Sequence, residues 1–149
     1  MHALKWLPIM FTMAVSVFAA DPFVGEWNLN LTKSDFGGGP KAKTGKTTYA
    51  ADGGGYQYQS ETDYGEGNIA RLGAPVQFDG TVNDGNLNGR AVTFVTKRID
   101  ENSYEVVITD KETGKESQRF RYTVSPANTL TFLWTKAGET VSKLVYDKK

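Results

Sequence analysis

Apolar and polar positions alternate with a period of two in segment after segment of this chain. Residues 21–30 set the pattern: Phe23, Gly25, Trp27 and Leu29 alternate with Val24, Glu26, Asn28 and Asn30, and the largest apolar side chain sits in the middle. That period predicts a strand. Residues 46–51 and 55–64 predict a hairpin around Asp52-Gly53-Gly54. In its second arm Tyr56, Tyr58, Ser60, Thr62 and Tyr64 share one face, and Gln57, Gln59, Glu61 and Asp63 share the other. From position 90 a meander of strands is expected at 90–99, 104–109, 117–124, 129–135 and 140–147, joined by short connections rich in turn residues. Its apolar faces carry Val92 and Phe94, then Tyr104, Val106 and Ile108, then Phe120, Tyr122 and Val124, then Leu130, Phe132 and Trp134.

Two stretches break the alternation. Residues 31–43 hold three glycines and a proline and predict a loop, not a helix. Residues 65–88 are irregular; short strands are expected near 68–72 and 76–78, and a turn at 84–89. Two motifs in or beside these stretches resemble ligand loops and fail on detail. Gly45-Lys46-Thr47 ends like a phosphate-binding loop, but Pro40 stands where the first glycine is needed and no helix follows. Asp84-Gly85-Asn86-Leu87-Asn88-Gly89 starts like a calcium loop, but its twelfth position is Val95 instead of a bidentate glutamate.

Short connections between strands make antiparallel neighbours, and the absence of any helical period leaves a sandwich or a barrel. An up-and-down order with a tryptophan on the first strand favours the barrel. The expected fold is therefore all-β: an antiparallel up-and-down β-barrel of about eight to ten strands, closed so that no edge is exposed.

Composition narrows the chemistry. Residues 1–19 predict a signal peptide: a mildly basic start, an uncharged run over 6–18, and small residues Val17 and Ala19 before the cleavage point. A single domain over 20–149 follows, expected to be secreted or periplasmic. No later stretch approaches the roughly 20 apolar residues of a helical membrane span. Lys5 is the only charge in the leader, so of 17 basic and 17 acidic side chains 16 basic ones remain, a net charge of −1. That balance argues against nucleic acid as a partner. The only histidine is His2, and there is no cysteine. The exported part therefore excludes a Ser-His-Asp triad, a Cys-His pair and a His/Cys zinc site. No catalytic residue, metal or cofactor is assigned.

The opening residues Phe23-Val24-Gly25-Glu26-Trp27-Asn28-Leu29 resemble the F-x-G-x-W-x-L start of the lipocalins and fatty-acid-binding proteins, and Leu144-Val145-Tyr146-Asp147-Lys148 is similar to the closing strand of the latter. The resemblance implies a lipocalin-like, fatty-acid-binding-protein-like barrel whose first and last strands meet. It implies closure residues at Trp27, at Lys143 as the basic side chain laid over that tryptophan, and at Tyr146. The arginine that holds a fatty acid's carboxylate in that family is replaced here by Leu144. The chain also resembles a group of small exported bacterial proteins of unassigned activity. The likeness runs through Trp27-Asn28-Leu29-Asn30, Lys33-Ser34-Asp35-Phe36, Gly39-Pro40, Phe78-Asp79-Gly80, residues 97–102, residues 128–131 and Val145-Tyr146-Asp147.

Three functions follow as expectations. The first is a monomeric barrel that binds a small hydrophobic or aromatic molecule, with Tyr56, Tyr58, Phe94, Tyr104, Phe120, Tyr122, Phe132 and Trp134 as the ligand-binding set. The same tyrosines also suit an ordinary half-buried strand. The second is a non-catalytic structural or protein-interaction module of the cell envelope with a filled core. The third is an acid–base enzyme using Glu61 and Asp63, about 7 Å apart on one strand face, a spacing that alternating solvated charges also produce.

Overall fold

The period-two segments become ten strands in chain order: β1 (Gly25–Leu29), β2 (Thr44–Asp52), β3 (Gly55–Asp63), β4 (Ile69–Val76), β5 (Asn83–Leu87), β6 (Arg90–Asp100), β7 (Ser103–Asp110), β8 (Glu116–Ser125), β9 (Thr129–Lys136) and β10 (Glu139–Lys148). The computed structural model describes residues 20–87 and 89–149; the signal peptide expected over 1–19 lies outside them. Among the described residues no helix is long and apolar enough to cross a membrane.

All ten strands form one antiparallel sheet in the order β4-β3-β2-β1-β10-β9-β8-β7-β6-β5. Each strand pairs with its sequence neighbour, with one exception. The first and last strands join, Trp27 opposite Lys148 and Leu29 opposite Tyr146, while β4 and β5 are left as the two edges. The up-and-down antiparallel order is the one the alternation predicts. Full closure is not reached: the sheet curls until its halves face each other, and the seam between β4 and β5 carries no ladder. Pro75 lies in β4, and an edge strand is where a residue without an N–H is tolerated.

Two local expectations change. Residues 68–72 and 76–78 are not separate strands; β4 runs continuously from Ile69 to Val76, in register with β3 from Asp63 to Tyr56. The glycine- and asparagine-rich stretch at 84–87 is not a turn but most of β5, paired with β6 from Arg90 to Phe94. The turn is shifted to its far end, where the Asn86 side-chain oxygen accepts from the Gly89 N–H.

The loop after β1 is tied to β10 by its own polar residues. The Val145 N–H donates to Ser34 Oγ at 2.9 Å, and Ser34 Oγ–H donates to the Asn30 carbonyl at 2.7 Å. Asp35 and Lys143 form a two-way backbone bridge. Gly37 follows with φ +59, and a Cβ there would lie 2.1 Å from the Val141 carbonyl oxygen, so only glycine fits. The loop thus prolongs the line of β1 along β10.

Alternation puts one face of every strand inward. Trp27, Thr47, Ser60 and Leu72 form a row across β1 to β4. Leu144, Phe132, Tyr122 and Tyr104 form another across β10 to β7. The core is mainly aromatic: Phe23, Trp27, Tyr49, Tyr56 and Tyr104 are almost fully buried, with Leu130 the largest aliphatic among them.

Candidate functional site

The interior divides into a filled end and a hollow end. At the end carrying the β2–β3, β6–β7 and β8–β9 turns, the segment before β1 folds in as a plug. Phe23 is fully buried, with its ring centroid 5.5 Å from Tyr49, 5.5 Å from Tyr56 and 5.2 Å from Tyr104. The Trp27 indole N–H donates to the Phe23 carbonyl at 2.9 Å, which locks the plug to β1. Across the interior, the Tyr49 and Tyr104 hydroxyls share a hydrogen bond of 2.7 Å. The Tyr56 hydroxyl donates to the Asp21 carboxylate at 2.8 Å and accepts from the Arg98 guanidinium at 3.2 Å. Arg98 lies 4.6 Å above the Phe78 ring, a cation–π contact that lids this end.

The side chain over Trp27 is Lys148, not Lys143. Lys148 Nζ sits 5.0 Å from the indole centroid and donates to the Pro22 carbonyl. The reason is parity: Lys148 and Tyr146 share the inward face of β10, whereas Lys143 lies on the opposite face, bridged to Asp35 and opposite Leu133.

Beyond the plug, toward the β1–β2 loop, lies a cavity of ≈ 230 Å³. Its apolar wall is Leu72, Phe120, Leu130, Phe132 and Leu144. Its polar atoms are hydroxyls, from Thr47, Tyr58, Ser60, Thr62, Tyr122 and Tyr146. Tyr58 and Tyr122 face each other with centroids 6.2 Å apart and form the boundary with the plug, where Tyr122 stacks on Tyr104 at 4.7 Å. Leu72 points inward from the edge strand and is still 58 % exposed, so the cavity is not sealed.

Of the side chains expected to bind a ligand, Tyr58, Phe120, Tyr122 and Phe132 come together around this cavity. Tyr56 and Tyr104 do not: both belong to the plug. Phe94 lines a different cleft of ≈ 180 Å³ in the β4–β5 seam, with Pro75, Gln77 and Asn83. Trp134 sits one row beyond the cavity, its ring 6.4 Å from Phe120, and its buried indole nitrogen has no hydrogen-bond partner among the described residues. Tyr146, expected for closure, lines the cavity as well. Leu72, Leu130, Leu144, Thr47, Ser60 and Thr62 lie outside the expected set. The inward parity of Leu130 was readable from the alternation of its strand; that of Leu144 was hidden by a bulge at Val141, and that of Leu72 by a strand with no clear period.

Larger than the cavity, at ≈ 460 Å³, is an open depression on the outer face of β2 to β4. Its charged side chains are already matched, Lys46 with Glu26 at 3.3 Å and Arg71 with Glu61 at 2.8 Å, as on an ordinary solvated sheet face. The candidate acid–base pair belongs to this surface. Glu61 holds Arg71, and Asp63 accepts from the Gly65 N–H at 2.7 Å. Neither faces the cavity. Among the described residues no group of acidic or histidine side chains is placed to hold a metal ion.

Burial holds the interior phenols neutral. Tyr49, Tyr104 and Tyr122 are pushed well above the usual tyrosine range by loss of solvent, and Tyr58 and Tyr146 are raised for the same reason. Because the folded values lie above the unfolded value of about 10, stability is complete below that pH and falls as pH rises past it, by about 1.4 kcal/mol per pH unit for each such phenol. Phenolate absorbance should therefore appear in one steep alkaline step that coincides with loss of the β circular-dichroism signal. Gradual ionisation of most of the seven tyrosines with the sheet intact would contradict this packing.

No protein-family model matches the chain, and no curated protein matches it. Solved structures do. A fatty acid binding protein of Schistosoma mansoni in complex with arachidonic acid is similar with a TM-score of 0.65 at 18 % identity, over 86 % of this chain and 96 % of that one. A secretory abundant heat soluble protein from Ramazzottius varieornatus gives 0.64 at 12 % identity, over 88 % and 98 %. The zebrafish ileal bile acid-binding protein complexed with cholic acid gives 0.54 at 12 % identity, over 86 % and 99 %. At such identities the likeness is one of fold: a fatty-acid-binding-protein-like, lipocalin-type β-barrel.

Proposed function

We propose that this protein is an exported, monomeric barrel that binds one small, mostly apolar molecule in the hollow half of its interior. The observation that carries the reading is the cavity itself, an apolar wall of leucines and phenylalanines with hydroxyls set among them. Such a lining gains from desolvating an apolar body, and its few polar atoms orient the ligand. Export rests on the leader in the sequence, and the absence of an enzymatic role rests on the occupied partners of Glu61 and Asp63. The fold's neighbours include proteins named for binding fatty acids and bile acids, which agrees with a carrier role.

The experiment is an intrinsic-fluorescence titration of the chain over 20–149 with decanol. Trp27 neighbours the cavity through Thr47 and Trp134 through Phe120, so occupancy should give a saturable change in emission at one site per chain. A second reading, a structural module of the envelope with a filled interior, is favoured by the aromatic plug that fills one end. A linear, non-saturating response to decanol and to a panel of other apolar compounds would remove the carrier reading and leave that module.

A further inference from the structure

The cavity's polar chemistry is uniform in one respect that bears on what it can hold. Among the described residues none of its lining side chains is charged. Its polar contacts come from Thr47, Tyr58, Ser60 and Thr62 on β2 and β3 and from the Tyr122 and Tyr146 phenols on β8 and β10. A hydroxyl both donates and accepts, so this set satisfies a neutral hydroxyl or carbonyl and supplies no countercharge. The phenols do not become a source of charge either, since burial holds them protonated through neutral pH.

No cation among the described residues lines the cavity; Lys43, of inward parity near its open end, is exposed and packs over Gly65. Arg98 and Lys148 share the inward parity but are held at the plugged end, on Phe78 with Tyr56 and on Trp27 with the Pro22 carbonyl. Lys46 and Arg71 lie on the outer face, each paired with a carboxylate. Lys136 has inward parity, opposite Gln118, but stands exposed at the strand end beyond Trp134. An anionic head group carried into the cavity would lose its water and meet no opposite charge, which is a heavy penalty for a buried ion.

We infer that the cavity selects neutral amphiphiles over their carboxylate counterparts: alcohols, esters or ketones with a short apolar body. This rests on the reading of the cavity as a ligand site. Size follows from volume. The ≈ 230 Å³ corresponds to about eight waters at the ~30 Å³ each takes in the liquid, so the cavity is filled by a body on the order of ten heavy atoms.

The test compares decanol, methyl octanoate and decanoate in the same fluorescence titration, at about pH 8 where the acid is ionised. The two neutral compounds should bind about tenfold or more tighter than decanoate, because only the anion brings an unpaired charge into the cavity. A smaller preference, or tighter binding of decanoate, overturns the inference while the saturable binding itself keeps the carrier reading standing. If none of the three binds saturably, the carrier reading fails and the selectivity falls with it. The two failures are thus told apart by whether decanoate saturates.

Discussion

Trp27→Ala should strip away a large part of the protein's stability. The indole is fully buried, its N–H is bonded to the Phe23 carbonyl, and Lys148 caps its face. Removing it opens a hole where β1 meets both β2 and β10 and releases the plug that Phe23 forms. A buried tryptophan truncated to alanine costs about 3–5 kcal/mol, a large part of the roughly 5–15 kcal/mol that holds a domain of this size. With no cysteine there is no crosslink to compensate. Chemical denaturation followed by circular dichroism checks it, with Lys143→Ala as the comparison. The Lys143 side chain lies on the outer face, so that variant should stay within about 0.5 kcal/mol of the parent. Equal midpoints for Trp27→Ala and the parent would show that the first strand does not organise the barrel.

Ser60→Phe should abolish binding and spare the fold. Ser60 points inward from β3, opposite Thr47 on one side and Leu72 on the other, and it borders the cavity. A phenyl ring there occupies the space a ligand would take. Because the ring enters a hollow and not a packed core, the cost of overpacking should be at or below the usual range of about 1–3 kcal/mol. Affinity for decanol should fall by about a hundredfold or more, since the apolar body can no longer be desolvated in the pocket. Gln59→Phe is the control. It adds the same ring one residue away on the outer face and should leave affinity unchanged. If both variants bind as the parent does, the ligand sits elsewhere.

The strands were legible because period-two alternation is a local property. Gly55 to Asp63 and the four strands from Ser103 onward fall within a residue or two of where their apolar faces place them. The β4–β5 region was not, because glycine, alanine and asparagine carry little hydrophobic contrast; Asn83–Leu87 is a strand through its pairing with β6, a tertiary preference that overrides turn propensity. The edges at β4 and β5 were equally out of reach, since closure depends on how far the whole sheet curls.

Alternation also says which face a side chain takes but not its height along the barrel. Tyr56 and Tyr58 share one face of one strand, yet the first is in the plug and the second in the cavity. Height is set by stagger between strands far apart in the chain, which no local pattern encodes. Lys143 illustrates the other limit. Val141 forms a bulge between Thr140 and Ser142, and parity counted from the start of β10 changes there, so the basic residue that reaches Trp27 is Lys148. The motif Lys33-Ser34-Asp35-Phe36 carried no function in the sequence, and its physical role is visible only in the fold: Ser34 and Asp35 fasten the first loop to the last strand.

The central claim, that the hollow half of the barrel is a ligand site, is tested most directly by following methyl resonances in an NMR titration with decanol. Saturable shifts should concentrate on Leu72, Leu130, Leu144, Thr47 and Thr62, which face the cavity, and leave Val95 and Val107 on the outer face of β6 and β7 unmoved. Shifts confined to outer-face methyls, or no saturable shift at any methyl, would contradict it.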